Sequence, residues 1–131
     1  MACSHCHKTC ENPRTIYCEY ERDECVLNCE CLNLPVGSIL DWPIDYSDIL
    51  GCEDPHVIDE TQSTVTITQT NGPNGPVAIS NIDYDTEVMT AWIDATQAVD
   101  GAYYELEAVM VSDKGRRITH KLAMTAKEIK C

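Results

Sequence analysis

The chain has 131 residues, with 9 basic against 22 acidic side chains and a formal charge of −13, a length that suits one domain or one domain with an appendage. The acidic balance argues against nucleic acid and anionic membrane surfaces as partners, since both need a basic footprint. No stretch approaches the roughly 20 apolar residues that span a bilayer. Phe is absent, so Trp42, Trp92, the six Tyr and the aliphatic side chains are expected to fill the core.

Seven of the nine cysteines stand before residue 32, and all six glycines stand after residue 36. This change of composition predicts two parts: a cysteine-rich, irregular N-terminal segment over 1–36 and a folded domain over 37–131. Residues 1 to 15 hold Cys, His and Lys rather than an apolar run. No signal peptide is therefore expected, and synthesis in a reducing cytosol is. The head has too few apolar residues for its own core, and segments that short are held by disulfides, metal or a partner. Its cysteines are Cys3, Cys6, Cys10, Cys18, Cys25, Cys29 and Cys31, with His5 and His7 interleaved. A disulfide knot is the first reading of this density. Structural zinc is the second: Cys3 and Cys6 form a C-x2-C knuckle, and a second pair from Cys25, Cys29 or Cys31 (Cys29 and Cys31 first), or His5 or His7, would complete four ligands. The return spacing departs from a clean C-x2-C. Thiols shielded by a neighbouring subunit are the third. Cys52 and Cys131 bracket the domain and could clasp its first and last strands or stay free. Cys52 could equally join the upstream seven to make an even eight.

From Ser38 the pattern turns to strands. Ile39–Leu50 reads as a first strand, with Pro43 pointing to an edge position or a bulge. Gly51–Glu60 is a polar connection, and Ser63–Thr70 alternates Val65 and Ile67 with threonines. Asn71–Pro76 is a loop, Val77–Ile82 a short strand and Glu87–Ala95 another. The strongest signal comes last. Tyr104, Leu106, Ala108 and Met110 share one phase before the polar turn Asp113–Arg116, and Ile118, Leu122, Met124 and Ala126 share one after it, with His120 in the same phase. A period of two around a glycine-containing turn predicts an antiparallel hairpin with one wet face, which a second sheet must cover. The predicted class is all-β, an immunoglobulin-like antiparallel sandwich of six or seven strands.

Catalytic chemistry has no foothold. No nucleophile elbow, phosphate loop or HExxH is present, so no catalytic residues and no enzyme are expected. Asp41, Asp45, Asp48, Glu53 and Asp54 lack the spacing of a calcium loop and read as solvated acids. Asp83, Asp85 and Glu87 alternate on an ordinary wet face. His120, alone in an apolar phase, reads as a core or edge residue.

Over residues 38–131 the chain carries, in this order, Asp45-Tyr46-Ser47-Asp48, Trp92-Ile93, Tyr104, Val111, Gly115 and Arg116. That order of segments resembles the small immunoglobulin-like proteins of tailed bacteriophage particles, which serve as fibre, head-decoration or tail-associated subunits. The resemblance implies a virion component made in the host cytoplasm, capsid decoration or cement before fibre or tail. Its partners would be other virion proteins, present in many copies or as a homo-oligomer, with neither nucleic acid nor membrane bound. No cofactor is implied beyond the possible zinc in the head. The rival expectation is a cellular zinc-binding adaptor whose N-terminal module docks a protein and is fused to a β-sandwich.

Overall fold

The computed structural model of the chain describes residues 14–19, 24–27, 33–50 and 57–128. Within them the protein is all-β apart from one helical turn. The strands are β1 (Ile16–Glu19), β2 (Glu24–Leu27), β3 (Asn33–Pro35), β4 (Ile39–Asp45), β5 (Thr64–Asn71), β6 (Ala78–Tyr84), β7 (Val88–Asp94), β8 (Tyr103–Val111) and β9 (Arg117–Lys127), with α1 (Ser47–Leu50) after β4. They form a five-stranded sheet in the order β2-β1-β4-β7-β6 and a four-stranded sheet in the order β3-β9-β8-β5. Neighbours pair antiparallel except for two parallel contacts, β1 with β4 and β3 with β9.

Alternation decides which face is buried. Along β7, Met89, Ala91 and Ile93 are fully buried while Val88, Thr90, Trp92 and Asp94 lie on the other face. Along β8, Tyr104, Leu106, Ala108 and Met110 are buried, and on β9 so are His120, Met124 and Ala126, with Ile118 and Leu122 packed partly against them. β4 contributes Trp42 and Ile44, and Tyr46 follows in the same phase. These side chains join in one apolar cluster drawn from both sheets, the arrangement that lets each sheet hide its apolar face.

The hairpin between β8 and β9 pairs Tyr103 with Thr125 through to Val111 with Arg117. Its turn is closed by Ser112 N donating to Arg116 O at 2.8 Å and Gly115 N donating to Ser112 O at 3.0 Å. Gly115 takes φ 88° there, a conformation open to glycine at little cost.

Three sequence expectations are corrected. The N-terminal segment, expected to be irregular, contains β1, β2 and β3. β1 and β3 stand before the 36/37 change of composition yet pair across it with β4 and β9, and Ile16 and Leu34 are fully buried in the shared core. The strand expected over Ile39–Leu50 stops at Asp45, because Asp45 Oδ1 accepts the Ser47 N–H at 2.8 Å and the Ile49 and Leu50 N–H groups both donate to Tyr46 O. An Asp whose side chain serves the backbone two residues on opens a turn in place of continuing a ladder. Trp92, expected in the core, lies on the outward face of β7, since the phase set by Met89, Ala91 and Ile93 turns it outward.

Candidate functional site

The sequence placed its chemistry in cysteines. Cys3, Cys6, Cys10, Cys29, Cys31, Cys52 and Cys131 lie outside the described residues, and with them the zinc set and the proposed clasp. The backbone positions of Cys18 and Cys25 are described, and they stand directly opposite each other. In the antiparallel ladder of β1 and β2 the register runs Ile16 to Leu27, Tyr17 to Val26, Cys18 to Cys25 and Glu19 to Glu24. Among the described residues no group of three or more His, Cys, Asp or Glu side chains is arranged to hold a metal ion.

That hairpin forms one margin of the five-stranded sheet. β2 is its last strand, and β1 reaches β4 only through Ile16 opposite Ile44 and Tyr17 opposite Asp45. Where the pairing stops, Arg14 takes over. Its Nε donates to the Asp41 carbonyl at 2.7 Å and its Nη2 to Asp41 Oδ1 at 2.8 Å. Both side chains are partly shielded, at 26% and 31% exposure, so the paired hydrogen bonds act in a less than fully aqueous setting. Pro43 lies in the same stretch of β4, beyond the end of the β1 ladder, where its missing N–H removes no bond.

The opposite margin carries β6 and β5, each the last strand of its sheet. Both ladders contain an irregularity, between Ile79 and Asn81 on β6 and between Gln69 and Asn71 on β5. Such bulges bend an edge and discourage indiscriminate pairing. Between them β5 presents Thr64, Thr66, Thr68 and Thr70 on its exposed face. The loop that follows is held from within. Gln69 Nε2 donates to Pro73 O at 2.6 Å, Gln69 Oε1 accepts Gly75 N–H at 3.1 Å, and Tyr104 Oη donates to Gly75 O at 2.5 Å.

On the outer face of the five-stranded sheet Trp92 is half-buried and its Nε1 donates to Asp83 Oδ2 at 2.9 Å. Asp83 Oδ1 also accepts from Asn81, so this carboxylate is occupied in fixing a flat aromatic surface beside Asp41, the cross-strand neighbour of Trp92. Asp45 and Asp85 each accept a nearby backbone N–H. These acids therefore serve local structure.

Within the core, Tyr46 and His120 meet ring to ring, centroids 5.9 Å apart and planes at 42°, joining the end of β4 to β9. His120 is buried, as its phase predicted. Burial pushes the Tyr46 phenol far above its ordinary value, so it stays protonated. Neither Tyr46 Oη nor Trp42 Nε1 has a hydrogen-bond partner among the described residues. Sequence reasoning did not single out either atom; the shared phase of Trp42, Ile44 and Tyr46 was the available signal.

Comparison of the chain with protein-family profiles, curated protein sequences and solved structures returned no match.

Proposed function

We propose that this protein is an immunoglobulin-like sandwich acting as a structural component of a bacteriophage particle, decorating the capsid or building a fibre-like attachment. Its work is mechanical, carried by contacts with copies of itself or with neighbouring virion proteins. Strand order supports the fold reading: β4-β7-β6 facing β9-β8-β5 corresponds to B-E-D opposite G-F-C in the immunoglobulin arrangement. β3 is added beside the last strand, and β1 departs from that scheme by running parallel to β4.

The observation that carries the functional reading is where the resembling segments fall. Asp45-Tyr46-Ser47-Asp48 closes β4 and enters α1, Trp92-Ile93 lies in β7, Tyr104 and Val111 mark β8, and Gly115 and Arg116 make the turn into β9. Four marginal strands, β2, β6, β3 and β5, lack a second partner among the described strands, and open edges are the means by which such domains add a strand or a neighbour. Weak contacts of this kind reach useful strength by repetition over many copies.

Peptide mass spectrometry of gradient-purified particles from the source that encodes the chain is the test. Stoichiometric, particle-bound chain is the expected result. Abundant chain in the lysate with none in the particles would overturn the reading, and stoichiometric zinc on that free chain would favour the adaptor.

A further inference from the structure

We infer that Cys18 and Cys25 are a dedicated cross-strand pair that closes to a disulfide and staples β2 to β1 at the margin of the five-stranded sheet. The inference stands on register and holds whether or not the particle reading does. Directly opposed positions of an antiparallel ladder have Cβ atoms about 4.5–5.5 Å apart and Cα atoms about 4.5–5.5 Å apart. Disulfides need Cα separations of about 4.4–6.8 Å and a slightly closer Cβ approach. A small local adjustment therefore joins the two, whereas spacing in the sequence alone allows each of them any of the eight other cysteines as partner.

Two further observations show why this hairpin needs a covalent tie. The next pair toward its turn sets Glu19 opposite Glu24, and like charges directly opposed weaken a ladder. Among the described residues β2 has no neighbour beyond β1, and β1 holds β4 through only two residue positions. Two-stranded ribbons with so little support are marginal in water.

The reaction is a two-electron oxidation by a small-molecule disulfide such as oxidised glutathione. One cysteine thiolate attacks the oxidant, releasing one thiol and leaving a mixed disulfide. The second cysteine then attacks that bond, forms the Cys18–Cys25 linkage and expels the second thiol, so that two protein thiols lose two protons and two electrons in all.

The test uses the full chain, treated with oxidised glutathione, alkylated without reduction and cleaved with trypsin and a glutamate-specific protease. Cleavage after Arg22, Glu19 and Glu24 separates the two cysteines onto different peptides. The expected result is a linked pair of peptides carrying Cys18 and Cys25, released by reductant. In addition, Cys18→Ser frees Cys25 for alkylation and Cys25→Ser frees Cys18, with the other linkages unchanged. Linkage of either residue to a different cysteine, or full alkylation of both after oxidation, overturns the inference. So does protection of both from alkylation by added zinc with zinc retained in the intact mass. Mapping the unsubstituted chain gives the answer even where a variant fails to fold, because fragmenting the linked peptide between Cys25 and Cys29, which share it, shows which of the two is bonded.

Discussion

Two glycines with nearly the same backbone angle make different demands. Gly72 has φ 89° and a Cβ there would lie 2.8 Å from Ala102 Cα and 2.8 Å from Gly101 O, both backbone atoms that cannot step aside. Gly115 has φ 88° and open space around it. Gly115→Ala should therefore cost only the conformational penalty, about 1 kcal/mol, whereas Gly72→Ala should cost clearly more because the Asn71–Pro76 loop must move off Ala102. Urea denaturation of the two variants side by side checks this, and equal losses would contradict it.

Acid response is written in a third residue. Asp59 accepts hydrogen bonds from the Thr61 hydroxyl at 2.6 Å, the Gln62 amide at 2.9 Å and the Thr61 N–H at 3.0 Å, which hold its carboxyl below the ordinary value. Asp94 is lowered in the same way by Thr96. A carboxyl depressed on folding contributes stability that is fully present above its unfolded value of about 3.9 and is lost as pH falls through the lower folded value. Asp59→Ala should thus lower the urea midpoint at pH 7, and the gap to the parent should narrow as the pH is taken below about 4. A gap that stays constant down to pH 2.5 would assign the loss to something other than the ionised carboxylate.

At the scale of elements, β8 and β9 were plain in the sequence, since nine consecutive cross-strand pairs keep a strict period of two around one glycine turn. β4 was legible up to Asp45 and then misread, because the Asp-Tyr-Ser-Asp run looks extended until the Asp45–Ser47 hydrogen bond is known. β1 and β2 were invisible for a different reason. Ile-Tyr-Cys-Glu and Glu-Cys-Val-Leu carry too little apolar alternation to register, and what fixes them is pairing: β1 with the distant β4, and β2 with β1. The opposition of Cys18 and Cys25 was hidden for the same reason, since a ladder register is not a sequence spacing. Trp92 was misplaced by treating every tryptophan as core, although Met89, Ala91 and Ile93 already fixed the phase.

The Arg14–Asp41 bond pair is the device that extends β1 past its short ladder. Arg14→Ala should cost about 1 kcal/mol, the value of charge-assisted bonds reduced for their partial exposure. The loss should be local: amides of β1 and β2 should exchange hydrogen faster while those of β8 keep their protection. Uniform acceleration across both sheets would instead mean that β1 is integral to the whole core.

For the molecule as a whole, one apolar cluster serves both sheets and draws on residues from Ile16 to Ala126, so unfolding should be a single cooperative event. Circular dichroism and tryptophan fluorescence should report one shared midpoint. Trp42 is buried and Trp92 lies on the outer face, so the two probes sample the two sides of the same sheet. Separate midpoints would require two units where one core is present.

The parallel contact between Asn33–Pro35 and Thr125–Lys127 has a bearing on how the protein comes into being. β9 is flanked by β8 on one side and by this early segment on the other, so the three early residues wait for a template made about ninety residues after them. A nascent chain halted before Arg117 would have β8 paired with β5 on one side and open on the other, and should be digested readily by added protease while still tethered to the ribosome. Emergence of Lys127 from the exit tunnel is then the moment at which resistance should appear, all at once.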